Sequence, residues 1–430
     1  MVLSVIITIP LSRLSNQEVI SIFINELILT HFRNYKKTKV VFPKGLIILH
    51  GSNGQGKTNL LEAVSLLSTG HSHRTIRDRD TIGWSSGIEP IPYTRIEARL
   101  SNEAIETRLE MVLQISRNLN SLDISSLGTK YGPSDLTGGR LQKALKINNV
   151  RQKQAYASQI LKVVVTGPEE VSLISGPPSE RRLFLDESIS QTNQKFSLIY
   201  KKYQKVLRQR NSLLKQLRQT NALRTSELDI WDAELIDLGS YILEERITLL
   251  KSIQPQAKKA YKYLTGELLP LTLSYQGSVL PESNPSIADI KLSLSNQLKS
   301  NWGRDLATAT TSAGPHRDDF KTLVNDVDLG IYGSRGQQRM VSIALFLAEA
   351  SYIHEITSQK PILLFDDPLS ELDISHREKF LEYGTSLGEQ LFLTTAEINL
   401  IPIPFRQKGV LYKVEDGQVL TQDEHNRLVD

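Results

Sequence analysis

The strongest constraint on the fold is a glycine-rich segment of eight residues near the start of the chain. Residues 51–58 read GSNGQGKT and satisfy the pattern GxxxxGK[ST]. An apolar run at 45–50 precedes the segment, and an amphipathic pattern with Leu60, Val64 and Leu67 follows it. Between a strand and a helix, such glycines let backbone N–H groups wrap phosphates, while the lysine neutralises phosphate charge and the hydroxyl ligates Mg²⁺. The segment therefore predicts an α/β nucleotide-binding domain.

We assign this loop and the residue after it to the nucleotide site. Lys57 is expected to act on the β- and γ-phosphates during catalysis, and Thr58 to bind Mg²⁺. The predicted nucleotide-binding residues are Gly51, Ser52, Asn53, Gly54, Gln55, Gly56, Lys57, Thr58 and Asn59.

An apolar stretch ending in two carboxylates is the second informative segment. Residues 361–367 read PILLFDD, and α/β sheets bind ligands at the carboxyl ends of their strands. Asp366 would hold Mg²⁺, and Asp367 would orient the attacking water or accept its proton as the catalytic residue. Alone, this pattern is more often a strand followed by a polar turn. The upstream phosphate loop favours the functional interpretation.

A predicted helix that opens with residues 334–339, SRGQQR, is the third element. A serine at a helix start is ordinarily an N-cap. The order of phosphate loop, Ser-x-Gly-Gln helix, Asp-Asp strand and the SELD segment at 370–373 resembles the ABC-type ATPases. In that superfamily the serine helix of one subunit caps the γ-phosphate held by another. The resemblance implies that Ser334, catalytic as well, contacts nucleotide together with Gly336, Gln337 and Asp373.

A helical segment interrupts the α/β pattern between residues 188 and 253, where glycine is nearly absent and leucines recur at helical spacing. A polar break at 219–226 predicts an antiparallel hairpin with arms of about 30 residues, or about 45 Å each. We therefore predict an α/β, ABC-type ATPase head, with mixed sheets around the phosphate-loop helix and an inserted helical second lobe. The predicted parts are an extension of unknown role (1–25), the head (26–187), the helical arm (188–300) and the rest of the head (301–430).

The helical segment also carries the clearest charge signal. The whole chain has 51 Lys+Arg against 47 Asp+Glu, so bulk charge does not indicate a polyanion partner. Residues 188–226, however, hold nine basic residues and no acidic one. A DNA contact, a solvated helix face and a protein-docking arm all remain open, and the run favours DNA. The predicted DNA-binding residues are Lys201, Lys202, Lys205, Arg208, Arg210 and Lys215.

Composition narrows the protein class further. The chain has no cysteine, which excludes disulfides, thiol catalysis and cysteine-ligated metals. Its longest apolar run, near the N-terminus, has about ten residues, whereas a membrane-spanning helix needs about 20. We expect a cytoplasmic protein without a membrane partner.

Several segments together resemble the RecF family of bacterial replication-gap repair proteins. They are HFRNY at 31–35, NGQGKTNLLEA at 53–63, GPPSERRLFLD at 176–186, QRNSLLK at 209–215, GPHRDD at 314–319, the Ser334 helix and DDPLSELD at 366–373. The resemblance spans residues 26 to about 418. It implies ATP and Mg²⁺ as cofactors, slow DNA-stimulated hydrolysis and an ATP-dependent homodimer. It also implies binding at junctions of single- and double-stranded DNA, RecO and RecR as partners in recombinase loading, a role in the SOS response, and a nucleoid-associated location.

Two alternatives come from the same superfamily. A transporter ATPase subunit is disfavoured because the interval from Thr58 to Ser334 is far longer than in that class. A chromosome-organising ATPase of the SMC type is disfavoured because an arm of about 45 Å is too short for its coiled coil.

Some residues keep two interpretations. Arg74 either contacts phosphate or adenosine, or is a solvated surface arginine, and the γ-phosphate sensor near Glu397 is unassigned. His316 and Arg317 are more readily explained as part of a buried turn with Asp318 and Asp319 than as catalytic groups. The run 180–182 is either an ion network between lobes or a coupler between ATP and DNA.

Overall fold

The structure is a computed structural model. It describes residues 21–75, 77–89, 91–102, 105–116, 139–167, 170–220, 225–268, 270–277 and 285–421. Most of the predicted N-terminal extension and Arg224 of the basic run lie outside the described residues. So does the segment 121–139, except its last residue, which the sequence predicts to be a Ser/Gly/Thr-rich loop.

Six antiparallel strands form the first sheet, in the order β2-β1-β4-β5-β6-β7. Apolar and polar residues alternate along these strands, so one face is buried and the other carries charged side chains. The strands are β1 (Phe23–Phe32), β2 (Tyr35–Val41), β4 (Tyr93–Ser101), β5 (Glu106–Ser116), β6 (Arg140–Ile147) and β7 (Val150–Gln152).

The second sheet has the order β15-β14-β3-β13-β12-β8 and is parallel except for β15. Its central strands are apolar throughout because both faces are covered. The strands are β3 (Gly45–His50), β8 (Val163–Thr166), β12 (Ile362–Asp366), β13 (Gln390–Thr395), β14 (Val410–Glu415) and β15 (Gln418–Thr421). The strand predicted at 45–50 is confirmed as β3, and the apolar stretch at 361–367 contains β12.

Helix α1 (Lys57–Thr69) lies between the two sheets. Its Leu60, Val64 and Leu67 belong to one core with the buried faces of both sheets, and its polar Glu62, Ser65 and Ser68 are buried as well. A helix enclosed in this way cannot shift, so its first turn is fixed at the carboxyl end of β3.

Helices cover the other face of the parallel sheet and form the larger core with it. They are short α3 (Ser172–Ser175), α4 (Pro178–Thr192), α5 (Gln194–Thr220), α6 (Ser226–Thr265), α7 (Ile287–Ser300), α9 (Leu329–Tyr332), α10 (Arg335–Thr357), α11 (Ile374–Leu387) and α12 (Ile403–Lys408). Short α2 (Ala157–Ile160) belongs instead to the core around α1, and α8 (Trp302–Thr308) packs in a small cluster with α5 and the start of α6. Among them, α6 packs along both α5 and α10.

The helical hairpin differs from the prediction in its second arm. Helix α6 has 40 residues instead of about 30 and continues through Pro255 to Thr265. Its C-terminal half keeps an apolar face, with Ala257, Ala260 and Leu264 in the larger core, which stabilises the helix beyond the proline.

A third, three-stranded sheet has the order β11-β10-β9. Its strands are β9 (Leu271–Gln276), β10 (Asp319–Val324) and β11 (Val327–Asp328). Since β9 pairs with β10, the predicted boundary at residue 300 falls between two paired strands.

By length and composition, α10 is the one helix of the described residues that could cross a membrane. Its apolar window is 67% buried inside the protein, as expected of a core helix.

Candidate functional site

The phosphate loop joins β3 to α1, and two of its glycines are required by its geometry. Gly51 has φ 149°, and a Cβ atom there would lie 2.3 Å from the Val414 carbonyl oxygen. Gly56 has φ 118°, and its Cβ would lie 2.8 Å from the Asn34 side chain. Gly56 is also the N-cap of α1 and offers no capping side chain, so the first N–H groups of the helix remain available to an anion.

Lys57 is the first residue of α1 and is folded onto the loop. Its Nζ donates to the carbonyl oxygens of Gly51 at 2.6 Å and Ser52 at 2.9 Å. Burial lowers the pKa of Lys57, while the charges of Asp366 and Asp367 oppose that shift. The ammonium group is thus held at the mouth of the loop, where phosphate oxygens can replace its carbonyl partners. Ser52, Asn53 and Gly54 lie exposed around the outside of the same loop.

Thr58 and Asp366 are brought together as predicted, although 308 positions separate them in the chain. The Thr58 hydroxyl donates to Asp366 Oδ1 at 3.0 Å. Asp366, the last residue of β12, is 7% exposed and accepts a second hydrogen bond of 2.6 Å from Thr394. Hydroxyl and carboxylate oxygens are the ligands that Mg²⁺ prefers, so this pair fits the predicted ion.

Thr394 positions both carboxylates, a role that the sequence did not reveal. Its hydroxyl donates to Asp366 and accepts the backbone N–H of Asp367 at 2.9 Å. Asp367 has φ 49°, a left-handed conformation that turns its side chain away from the direction of the strand. Burial, and then the charge of Asp366, raise the pKa of Asp367, while a hydrogen bond with Ser370 opposes them. A carboxylate with a raised pKa is suited to accept a proton.

Residues after β1 support the loop from behind. Tyr35 donates from its hydroxyl to the Gly56 carbonyl at 2.8 Å, and Asn34 donates to the Gln55 carbonyl at 2.8 Å. Gln55 Oε1 in turn accepts the backbone N–H of Asp416 at 2.7 Å. In the sequence, the segment around Asn34 indicates only a family resemblance. The signal for its role beside the loop is the polar pair, Arg33 and Asn34, directly after the first strand.

Arg74 and Asn59 lie together at the edge of the site. Arg74 Nη1 donates to Asn59 Oδ1 at 2.9 Å and lies 3.7 Å from the Glu62 carboxylate. Glu62 is fully buried and also binds Arg33 through both of its carboxylate oxygens. Arg74 is therefore held beside the loop by α1, and it lines a cavity of about 400 Å³ that also contacts Thr58 and Asp366.

Ser334 begins α10 with a complete capping box. Its Oγ accepts the Gln337 N–H at 3.3 Å, and the Gln337 side chain accepts the Ser334 N–H at 3.0 Å. Residues 334–337, including Gly336, are all exposed. Among the described residues, no hydrogen bond joins these four to the phosphate loop of the same chain. The N-cap interpretation is thus confirmed, and the exposed helix end remains free to meet another subunit.

Arg339 links this helix to the segments that follow two strands of the parallel sheet. It pairs with Glu170, which follows β8, at 3.1 Å, and with Glu371, which follows β12. Asp373 caps α11 by accepting the His376 N–H at 3.0 Å. This hydrogen bond, and then those from the side chains of Ser375 and His376, lower the pKa of Asp373 to about 2. Asp373 is therefore an exposed helix cap, and its predicted nucleotide contact stays a prediction.

The basic run lies on α5 and divides into exposed and buried parts. Lys201, Lys205, Arg208 and Lys215 recur at helical spacing on one exposed face, about 21 Å long at 1.5 Å per residue. None of these four pairs with a carboxylate of the described residues. Lys202 is exposed as well but lies 3.5 Å from Glu234 of α6.

Arg210 was wrongly assigned to DNA binding. Its side chain is fully buried and donates to Asp232 at 2.6 Å and to Asp305 at 2.8 Å. It joins α5 to α6 and α8, because it lies on the inner face of the helix with Leu213 and Leu214. A count of charges along the sequence cannot separate the exposed face of α5 from its buried face.

Hydrogen bonds and one ion pair hold the turn at 314–319. His316 Nε2 donates to the Thr311 carbonyl at 3.0 Å, so Nδ1 accepts from the Tyr203 hydroxyl at 2.6 Å. Burial lowers the pKa of His316 to about 4, which keeps the ring neutral. The ion pair of this turn is formed by Asp319 with Arg181 of α4, at 2.6 Å and 2.8 Å, and not with Arg317.

Two sheets around a phosphate-loop helix, a strand-end carboxylate pair and a serine-capped helix define the ABC-type ATPase fold. The family model RecF/RecN/SMC N terminal domain matches residues 23–414. The chain is 34% identical over 398 residues to the DNA replication and repair protein RecF of Heliobacterium modesticaldum, covering 92% of this chain and 98% of the relative. The RecF of Chloroflexus aggregans is 34% identical over 402 residues, which are 92% of this chain and 99% of the relative. The chain belongs to the RecF family.

Solved structures agree with this assignment. The recombination mediator protein RecF-ATP in the RecFOR pathway has a TM-score of 0.78 and 28% identity, covering 93% of this chain and 98% of the other. The corresponding RecF-ATPrS structure has a TM-score of 0.78 and 27% identity, covering 94% and 98%.

Proposed function

We propose that this protein is an ATP-dependent DNA-binding protein of recombinational gap repair, which dimerises when ATP is bound and hydrolyses ATP slowly. The observation that carries the proposal is the assembly of Lys57, Thr58, Asp366 and Asp367 at one end of the parallel sheet, in a chain of the RecF family.

Nucleotide binding follows from the loop and the start of α1. Lys57 exchanges its two carbonyl partners for the β- and γ-phosphates, and the uncapped N–H groups of α1 bind the phosphate oxygens. Thr58 and Asp366 are the residues that would hold Mg²⁺, whose charge offsets that of the phosphates. Arg74 adds a cation at the edge of the site.

Hydrolysis requires a base next to Asp366, the carboxylate that would hold Mg²⁺. Asp367 has a raised pKa and is fixed through its backbone by Thr394, so it can orient a water and take its proton. Asp366 is unsuited to that role because two hydroxyl groups already donate to the same oxygen.

Dimerisation places the exposed start of α10 over the partner's nucleotide. Ser334 presents a hydroxyl, and the helix N-terminus favours negative charge. Arg339 pairs with Glu371, which lies in the segment after Asp367. Arg339 thereby couples the binding of the partner's nucleotide at the start of α10 to the strand of the same subunit that ends in Asp366.

DNA binds the exposed basic face of α5, where Lys201, Lys205, Arg208 and Lys215 have no carboxylate partner among the described residues. Lys202 contributes a weaker contact because Glu234 lies 3.5 Å away. By analogy with its relatives, the protein acts in the cytoplasm at junctions of single- and double-stranded DNA, with RecO and RecR, to load recombinase. The similarity to RecF over 98% of the relative's length disfavours the transporter and chromosome-organising alternatives.

The first test is Lys57→Ala, with the exposed Lys258→Ala as the matched control. We expect the Lys57 variant to lose nucleotide affinity in a fluorescent-ATP titration, and with it ATP-dependent DNA binding. Equal nucleotide affinity in the variant and the parent would refute the site assignment.

The second test uses Ser334→Arg, which should spare ATP binding by the monomer and block dimerisation. A Ser334 that is only an N-cap predicts a loss of about 1 kcal/mol in stability and a retained dimer. Mixing Ser334→Arg with Lys57→Ala leaves one intact composite site per heterodimer. Partial recovery of ATP turnover, with neither variant active alone, supports capping by the partner. A mixture that is inactive despite proven heterodimers would count against a single intact site being sufficient.

A further inference from the structure

A second segment without acidic residues lies next to the basic face of α5. Residues 139–167 contain Arg140, Lys143, Lys146, Arg151, Lys153 and Lys162 and no Asp or Glu. Lys162 is buried and Lys143 binds the Gly70 carbonyl and Asp78, so these two are structural. Arg140, Arg151 and Lys153 are exposed and pair with no carboxylate of the described residues.

These cations are carried by a rigid β-hairpin, β6–β7, at the edge of the first sheet. Its two-residue turn, Asn148–Asn149, has positive φ angles of 48° and 67°, as tight hairpins require. Both asparagine side chains bind Arg108 of β5, at 2.9 Å and 3.0 Å. The backbone of the hairpin is therefore anchored to β5 before any ligand arrives.

One cross-strand pair of side chains destabilises the hairpin. Lys146 and Arg151 lie directly opposite each other on β6 and β7, which puts two like charges on one face of the sheet. Like charges in that position destabilise a hairpin. Glu110 pairs with Lys146 at 3.0 Å, but Arg151 has no such partner among the described residues. An external anion would offset this repulsion.

The fold brings the hairpin and α5 together. The short turn Gln154–Tyr156, directly after β7, lies beside α5. Partial desolvation, and then the positive charge of Lys143 on β6, lower the pKa of Lys201 on α5. The two acid-free segments are thus neighbours, although α5 begins more than 40 positions after the hairpin ends.

We propose that the β6–β7 hairpin, through Arg151 and Lys153, forms a second half of the DNA site and binds the phosphate backbone of duplex DNA together with α5. The inference rests on the proposed DNA-binding function. Duplex is favoured because α5 and the hairpin carry several exposed cations, whereas the turn beside them offers one exposed aromatic side chain, Tyr156, and single-strand sites rely on a series of stacking platforms. Backbone contact by unpaired cations is the common basis of duplex binding.

The test compares three double variants in the full-length protein with ATP: Arg151→Ala/Lys153→Ala on the hairpin, Lys205→Ala/Arg208→Ala on α5, and Lys258→Ala/Lys259→Ala as the control. Lys258 and Lys259 are adjacent exposed cations on α6. Thermal unfolding confirms that each variant is folded. Affinity for a short duplex and for an oligothymidine strand is then measured by fluorescence anisotropy at several salt concentrations.

We expect the hairpin variant to lose about 10- to 100-fold in duplex affinity at 0.1 M salt, and its salt slope to fall by about two per bound protomer, since each phosphate contact contributes about 0.9. The control should stay within about twofold of the parent. A hairpin variant with parental duplex affinity and slope, beside a weakened α5 variant, would overturn the inference and leave the proposed function standing. Loss of single-strand binding alone would also overturn it. A parent protein that binds neither DNA would instead refute the proposed function.

Discussion

Arg208 and Arg210 are two positions apart on α5, and the structure gives them opposite roles. Arg208 is exposed on the basic face, whereas Arg210 is fully buried and binds Asp232 and Asp305. We predict that Arg208→Ala weakens duplex binding without affecting stability, and that Arg210→Ala does the reverse.

The magnitude for Arg210 follows from what its removal leaves behind. Asp305 is 0% exposed and Asp232 5% exposed, so truncation leaves two buried carboxylates without their shared cation. Breaking a buried ion pair in this way costs about 3–5 kcal/mol. At about 2–4 °C per kcal/mol for a large domain, the midpoint of thermal unfolding should fall by about 6–20 °C. Arg208→Ala, at the surface, should change stability by less than about 0.5 kcal/mol.

Two assays separate the roles. Scanning calorimetry gives the unfolding midpoint, and anisotropy at 15 °C gives duplex affinity while both variants remain folded. Arg208→Ala should weaken binding up to about tenfold at 0.1 M salt. Arg210→Lys should show an intermediate midpoint, because one ammonium group replaces the guanidinium fork with less complete bonding. An Arg210→Ala variant as stable as the parent but deficient in DNA binding would refute the assignment of Arg210 to the core.

Three further predictions concern the nucleotide site and the core beside it. Asp367→Asn should keep ATP affinity, slow hydrolysis at least tenfold and accumulate the ATP dimer, because the amide cannot accept the proton; a variant that binds ATP but stays monomeric by light scattering would contradict this. Thr394→Val should lower ATP turnover and cost about 1–3 kcal/mol in urea unfolding, since Asp366 loses a donor and the Asp367 N–H its acceptor; unchanged turnover would show that the hydroxyl does not position them. Burial raises the pKa of Glu349 to about 8. The folded state therefore takes up a proton that the unfolded chain releases near pH 4.5, and stability falls as pH rises between these values. Glu349→Gln removes that loss of stability. The difference in urea midpoint between the variant and the parent should therefore increase from pH 5 to pH 8. A difference that stays constant with pH would argue against a neutral Glu349.

Local patterns in the sequence predicted most of the ATPase head. The phosphate loop, the Asp366 strand and the Ser334 helix each combine a short motif with the expected periodicity, and the structure has a loop, a strand and a helix at those places. Gly51 shows why the motif is so readable, because the backbone contact at that position admits only glycine.

Residues whose role depends on distant contacts were not predictable in the same way. Thr394 meets Asp366 across 28 positions and Arg210 meets Asp305 across 95, so neither role can be inferred from neighbouring residues. The hairpin cations were overlooked for a different reason, since their segment reads as ordinary strand and its lack of acids becomes informative only beside α5. Helix α6 exceeded its predicted length because tertiary packing stabilises the residues after Pro255.

We propose that ATP joins two copies of this chain through the Lys57 loop of one and the Ser334 helix of the other. The most direct test of this dimer is the molar mass by light scattering without nucleotide, with ADP and with ATP, for the parent, Ser334→Arg and Asp367→Asn. We expect monomers without nucleotide and with ADP, dimers with ATP for the parent and Asp367→Asn, and monomers throughout for Ser334→Arg. A Ser334→Arg variant that dimerises with ATP as the parent does, or a parent that stays monomeric while bound to ATP, would contradict it.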